Sequence, residues 1–307
     1  MSGAAVARFL AGGVAIATLA AFPSLDANPL VARLVAQARE RVLYVHAFDT
    51  AKQQPVPNLG PDAFVVREDG ARREVLRVTP ATTPLPVAII VDNSEAVAPS
   101  IADLRKALTT FLTLVEGIGP MAIVTIAERP TIRVDYTTTQ KSLLDAVGSI
   151  FHVPSSGATL LDAIVEVSKG LARRETDRAA IVAIATEFTD FSNLQYRDVL
   201  ESLEKSGASL HVVVLVNPNG SFSTDEARNR ATVLDRGPRE SGGIRMDVLT
   251  SMSFEPRLRD LAAILKNQYR VVYSRPESLI PPEKIEITSA KPGLELRGAP
   301  ARGQALK

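Results

Sequence analysis

The sequence contains no cysteine, no tryptophan and only three histidines in 307 residues. Without cysteine there is no disulfide framework, no thiolate metal site, no cysteine nucleophile and no lipid-modified N-terminal cysteine. Aromatic residues make up 5% of the chain, too few for a platform that stacks sugars or bases. Neither sign of charge is in excess, since 35 Lys and Arg face 34 Asp and Glu for a formal net charge of +1. That balance removes the electrostatic drive toward nucleic acid, and no basic stripe interleaved with aromatics is present, so nucleic acid is not an expected partner. Also missing are a Gly-x-Ser-x-Gly elbow, a phosphate-cradling glycine-rich loop ending in Lys-Ser/Thr, and a His-Glu-x-x-His helix.

What is present is the composition of a globular protein, 46% hydrophobic and 22% charged, long enough for one large domain or one domain with a smaller companion. Arg8 precedes an apolar run from Phe9 to Phe22, which is followed by Pro23 and Ser24. One basic residue and an apolar core shorter than the roughly 18–20 residues of a bilayer-spanning helix predict a signal peptide over 1–27. Cleavage after Ala20, Ala21 or Ala27 fits equally. Export to the periplasm or medium is the expectation, with an uncleaved inner-membrane anchor as the alternative.

Residues 28–41 read as an amphipathic linker or helix. From Val42 the pattern turns to period two, with strands expected at 42–48, 63–67 and 74–78, the last two joined by a hairpin around Glu68-Asp69-Gly70. These form the N-terminal half of a β unit over 42–82. From 83 to 268 continuous apolar runs alternate with helical periodicity. Val87–Val91, Ala179–Ala185 and Leu210–Val216 read as strands buried on both faces. Shorter strands are expected at 121–127, 131–136 and 244–248, and helices at 100–115, 141–150, 160–171, 196–205, 225–234 and 257–266. Ser100 and Asp103 suggest a capping box. This is the pattern of a doubly wound, mostly parallel α/β sheet. Strands at 269–274 and 284–289, within a C-terminal half spanning 269–307, are expected to complete the β unit around it.

In such a sheet ligands bind beyond the carboxyl ends of the strands, where strand order reverses. Three loops there carry oxygen-bearing groups: Asp92-Asn93-Ser94-Glu95-Ala96, Ser155–Thr159 ahead of a helix with Asp162, and Thr186-Glu187-Phe188-Thr189-Asp190. Carboxylates and hydroxyls from separate loops suit a hard divalent cation such as Mg²⁺.

On Ile89-Ile90-Val91-Asp92-Asn93-Ser94, Gly157-Ala158-Thr159-Leu160-Leu161-Asp162-Ala163 and the strand ending at Thr186-Glu187, the chain resembles the von Willebrand factor A-related family. Phe64–Gly70 and Gln268–Tyr273 are similar to flanking signatures of its bacterial secreted branch, which carries β extensions at both ends. The resemblance implies a von Willebrand factor A-like sheet and a metal-ion-dependent adhesion site, in which Mg²⁺ is completed by a partner's carboxylate. Its pattern is Asp-x-Ser-x-Ser, then Thr, then Asp. Asp92, Ser94 and Thr159 match, Ala96 replaces the second Ser, and Glu187 stands for the final Asp. Phe188 occupies a place where that branch usually has Gly.

Two readings of these residues stay open: a weakened Mg²⁺ site of Asp92, Ser94, Thr159 and Glu187, or loop and helix caps that need no metal. The expected function is a non-enzymatic, exported protein-interaction module. Its partner would be a protein or peptide docking over Asp92, Ser94, Thr159 and Phe188, in part through a carboxylate. An architectural protein with a vestigial metal site is one alternative, and a hydrolase using Asp92 and Glu187, with His152 nearby, is another. His46 and His211, within apolar strands, read as structural.

Overall fold

In the computed structural model, residues 38–52, 54–174, 176–187, 190–216, 224–276, 280 and 282–300 are described. The expected signal peptide, most of the 28–41 segment and Phe188 lie outside them. Among the described residues no helix is long and apolar enough to cross a membrane.

The first strand, β1 (Ala38–Asp49), is buried along its whole length from Val42 to Phe48. Strands β2 (Phe64–Glu68) and β3 (Ala71–Arg73) form the hairpin announced by Asp69-Gly70, where φ is positive at both residues. The expected second arm, β4 (Val75–Pro80), leaves that hairpin for a different sheet.

The α/β region comprises β5 (Val87–Val91), α1 (Ile101–Leu114), β6 (Met121–Thr125), β7 (Thr131–Thr137), α2 (Gln140–Gly148), α3 (Leu160–Ala172), β8 (Ala179–Thr186), α4 (Tyr196–Ser206), β9 (Ala208–Leu215), α5 (Asp225–Glu240), β10 (Arg245–Val248) and α6 (Phe254–Lys266). Its six strands lie in the order β10-β9-β8-β5-β6-β7, parallel except for the edge strand β7. Every residue of β5, β6 and β8 is buried, as their unbroken apolar runs predict. The pleat distributes them: Val87, Ile89 and Val91 face a core with α1, α2 and α6, while Ile90, Ile181 and Val212 face one with α3, α4 and α5. Each such aliphatic side chain contributes about 1.5–3 kcal/mol on burial.

Three C-terminal strands, β11 (Gln268–Pro276), β12 (Ile285–Ser289) and β13 (Leu294–Pro300), return to the beginning of the chain. β1 pairs antiparallel with both β11 and β13, giving a sheet β13-β1-β11-β4, and β12 joins β2 and β3. The two sheets share a core of Leu43, Val45, Phe64, Val66, Val271 and Tyr273. Glu68, buried among it, accepts from Tyr273 Oη at 2.8 Å and pairs with Arg73 Nε at 2.9 Å and Arg275 Nε at 3.2 Å. Both chain ends therefore build one β unit around the α/β sheet.

Three local expectations shift. β13 has no clear strand signature because Gly298 and Pro300 interrupt it. An edge strand tolerates both, and a Cβ at 298 would approach Val45 Cγ2 to 2.9 Å. Helix α5 continues six residues past the expected end at 234. Gly237-Pro238 looks like a stop, yet Gly237 is where the helix closes on Leu210 (a Cβ would meet Leu210 Cδ2 at 2.8 Å), and Pro238 falls in the last turn. The capping box does not form. A 3-10 turn, Glu95–Ser100, precedes α1, Ser100 makes no side-chain cap bond, and Asp103 accepts from Ser251 Oγ.

The opposite face of β1 meets the α/β sheet through a polar chain. His46 stacks edge-on against His211 of β9, with ring centroids 5.2 Å apart. His46 Nδ1 lies 3.3 Å from the Ile264 carbonyl, and Gln268 Nε2 lies 3.3 Å from His46 Nε2. Arg178 Nη1 donates to Gln268 Oε1 at 2.6 Å and Nε to the Thr83 carbonyl at 3.0 Å, tying in the linker. Burial pushes His46 down to about 4, opposed by its bond to Ile264 and reinforced by Arg178 and Arg297. Burial, then His46 and Arg297, holds His211 well below its ordinary value.

Both imidazoles are thus neutral when folded but charge below about pH 6.5 when unfolded, so the stability tied to them is complete above that pH and falls as pH drops toward 4. At about 1.4 kcal/mol per pH unit, His46 alone costs about 2–3 kcal/mol between pH 7.5 and 4.5. Urea unfolding at the two pH values should show this loss, and His46→Gln should flatten it. Identical pH dependence in both proteins would remove His46 from the account.

Candidate functional site

Strand order reverses between β5 and β8, so the chain leaves their adjacent carboxyl ends in opposite directions and opens a crevice there. Asp92, the residue after β5, sits at its base, only 1% exposed, with its N–H donating to the Ile184 carbonyl at 2.9 Å. A buried carboxylate needs donors, and Asp92 has four. Oδ1 accepts from Ser94 N at 3.0 Å and Ser94 Oγ at 2.7 Å, and Oδ2 accepts from Thr186 N at 3.2 Å and Thr186 Oγ1 at 2.7 Å. The last residue of β8 is thereby sewn to the first residue beyond β5.

Asn93 positions the second loop. Its Oδ1 accepts from Ile126 N at 3.2 Å and Ala127 N at 2.9 Å, and its Nδ2 donates to the Phe151 carbonyl at 3.1 Å. Thr159 grips the same residue from the other side, with N and Oγ1 donating to the Ile126 carbonyl at 2.9 and 3.0 Å. Val153 N reaches the Asn93 carbonyl at 2.9 Å, which brings the His152 loop against the crevice.

The third loop divides. Asp190, 1% exposed, caps α3 by accepting from Leu160 N at 3.0 Å and turns its own loop by accepting from Ser192 N at 2.9 Å. Arg230 of α5 is 3% exposed; its Nε lies 3.9 Å from Asp190 Oδ2 and its guanidinium donates to the Thr186 carbonyl. Glu187 faces elsewhere, its Oε1 lying 3.6 Å from Arg245 Nη2 on β10.

Of the residues expected at the site, Asp92 and Ser94 touch, and Thr159 joins them through Asn93 and Ile126. Glu187 is drawn toward β10, two strands from β8 and on the side away from β5, because Arg245 offers it a counter-charge. Asp92, Ser94 and Thr159 are 1, 2 and 4% exposed, so they support the surface and do not form it. Thr186, Asn93 and Arg230 complete the cluster. Thr186 had a signal, as the hydroxyl ending an apolar strand beside Asp92; Arg230, in a helix of strongly polar sequence, had none.

This donor set fits a resident Mg²⁺ poorly. Both oxygens of Asp92 are occupied by protein donors, the expected second carboxylate is engaged with Arg245, and Ala96 offers no side-chain oxygen. Among the described residues no group of three or more His, Cys, Asp and Glu could hold a metal ion. The carboxylate pair required by a hydrolase is likewise divided between different partners.

Solved structures similar to this chain include von Willebrand factor A proteins. A von Willebrand factor type A protein from Catenulispora acidiphila is similar over 87% of this chain and 72% of its own, at 10% identity and a TM-score of 0.49. An aerotolerance-related membrane protein from Bacteroides fragilis is similar over 58% of this chain and 98% of its own, at 16% identity and 0.44. The conserved hypothetical protein BatB from Bacteroides thetaiotaomicron is similar over 60% and 100%, at 13% identity and 0.43. No protein-family model matches the chain, and neither does any curated protein. At these identities the likeness is one of fold, and no residue's role carries over.

Asp92→Ala leaves the hydroxyls of Ser94 and Thr186 and two buried N–H groups without an acceptor, and should cost about 3 kcal/mol in denaturant unfolding. Thr186→Val, which removes one bond, should cost about 1 kcal/mol. Equal, small losses for both would mean that water reaches Asp92 and the cluster is not closed.

Proposed function

We propose that the chain is a non-enzymatic protein-interaction module, acting outside the cytoplasm, whose contact surface is the carboxyl edge of the six-stranded sheet. The observation that carries this reading is that four of the seven large apolar side chains exposed among the described residues gather at that edge, the others being Leu76, Ile132 and Ile280. Phe151, Phe191, Leu249 and Met252 are 61, 63, 74 and 76% exposed, and all four lie on loops at that edge. Phe151 borders Asn93, and Phe191 lies across Gly157, where a Cβ would come within 1.9 Å of its ring. Leu249 follows β10 directly, and Met252 sits in a turn joined to α1 by the bond from Ser251 to Asp103. Large apolar groups held in water around a rigid polar centre are a feature of protein contact sites, where aromatic anchors dominate the energy.

The buried centre then serves as the support that fixes these loops, and the partner meets Phe151 and Phe191 above it. Phe188, expected at this contact, lies outside the described residues. A partner carboxylate was expected only as the final ligand of a bound ion, so the apolar rim takes its place in this reading. Export rests on the Phe9–Phe22 run alone.

The test is capture from the exported fraction of the source cell with the wild type, Phe151→Ala/Phe191→Ala and Gly157→Ala, which should push the Phe191 ring aside. The double variant should retain at most about a tenth of wild-type capture and Gly157→Ala at most about a fifth, because central interface aromatics each contribute more than about 1 kcal/mol. Undiminished capture would move the interface to the β unit, where the edge strand β13 borders a cleft of about 1140 Å³ against α4 and α5.

A further inference from the structure

We infer that Arg230 is the permanent cation of the switch-point site, so that its buried carboxylates are compensated from within, by one guanidinium and by hydrogen-bond donors, and the site works without a divalent metal. Two carboxylates, Asp92 directly after β5 and Asp190 in the loop after the neighbouring β8, are each 1% exposed. Like charges taken out of water together raise each other's cost, and they are retained only where an opposite charge or several donors compensate. An adhesion site of the expected kind would obtain that compensation from an exchangeable ion. Here it comes from α5. The Arg230 side chain is itself 3% exposed, lies 3.9 Å from Asp190 Oδ2, and donates to the carbonyl of Thr186. Thr186 is the residue whose N–H and hydroxyl bind Asp92 Oδ2. One guanidinium therefore forms an ion pair with one carboxylate, at 3.9 Å, and holds the strand end that satisfies the other.

The remaining groups agree with this arrangement. The Ser94 hydroxyl donates to Asp92 and the Thr159 hydroxyl to Ile126, so both are already committed within the fold. Glu187, the carboxylate that a metal would recruit, is held by a second arginine, Arg245. An arginine stays protonated across the whole physiological range and cannot be chelated or exchanged. Contact at this edge should therefore need neither an ion nor a partner group to complete one, and it is permanently available where a metal site would depend on ion supply.

Thermal unfolding of the full chain tests this with the metal alone as probe. Wild-type melting should agree within about 1 °C in millimolar Mg²⁺, in millimolar Mn²⁺ and in chelator, since an ion that bound only the folded state would raise the midpoint with its concentration. Arg230→Gln should lower the midpoint by about 10 °C, as removing one member of a buried pair does, and Arg230→Lys by clearly less because the charge remains. In an Asp190→Asn background the penalty of Arg230→Gln should shrink by half or more. A saturable Mg²⁺ stabilisation of the wild type that disappears in Asp92→Asn would overturn the inference. So would equal losses for the Lys and Gln variants, or a Gln penalty unchanged by Asp190→Asn. If Arg230→Gln does not fold, the metal titration of the wild type and Asp92→Asn decides alone. These readouts involve no partner, so a failed capture experiment and a failed metal test remain separate results.

Discussion

A carboxylate with no access to water has to find its hydrogen bonds inside the protein, and Asp92 finds all of its own at the crossing of β5 and β8. That constraint organises the upper edge of the molecule. Ser94 must turn back onto Asp92, which sets the course of the chain into the 3-10 turn before α1. Thr186 must end β8 level with Asp92, which fixes where the third loop begins. Asn93 is then aimed at Ile126 and Ala127, and Thr159 closes on Ile126 from the opposite side. The loops of three strand ends are bound into one polar knot, with apolar side chains left on its outer surface.

A second junction holds the other side of the sheet. β1 is buried on both faces because its sheet lies between the β12-β2-β3 sheet, with which it forms a small sandwich, and the α/β layer. Its odd-numbered residues Leu43, Val45 and Ala47 enter the sandwich core, and His46 faces His211 on the other side. Through that contact Arg178, Gln268 and His46 form a hydrogen-bonded line, and the edge-on ring contact with His211, itself bonded to Ser209, continues it into the sheet. Such a line ties orientation to chemistry: linker, sandwich and sheet meet in one arrangement because each polar group has its partner only in that arrangement.

The candidate site was legible where a residue type has one good use in its position. An Asp directly after a buried strand, a Ser two residues on and a Thr at a helix start are polar groups that only local hydrogen bonding makes affordable, so Asp92, Ser94 and Thr159 stood out. Glu187 looked equivalent to them because it follows β8 as Asp92 follows β5. Its actual partner, Arg245, is far away in sequence and is reached only once β9 and β10 are laid side by side. Arg230 was invisible for the same reason: in a helix of exposed polar residues, nothing local marks one arginine for burial.

Periodicity, by itself, determined the layers of this protein. Continuous apolar runs specify the central strands covered on both faces, whereas the period-two run at 42–48 does not announce that β1 is itself buried on both faces. The Asp-Gly dipeptide likewise announced the turn at Asp69-Gly70, where φ is positive at both residues. Tertiary structure decided the rest. The Gly-bearing edge strand β13 exists because β1 offers it a ladder, and α5 runs through Gly237-Pro238 because Leu210 needs a close neighbour. The charge state of the switch-point crevice was decided at the same level. Burial of a charge is settled by what surrounds it in space, and an arginine from α5 and a carboxylate after β8 become neighbours only when the sheet is assembled.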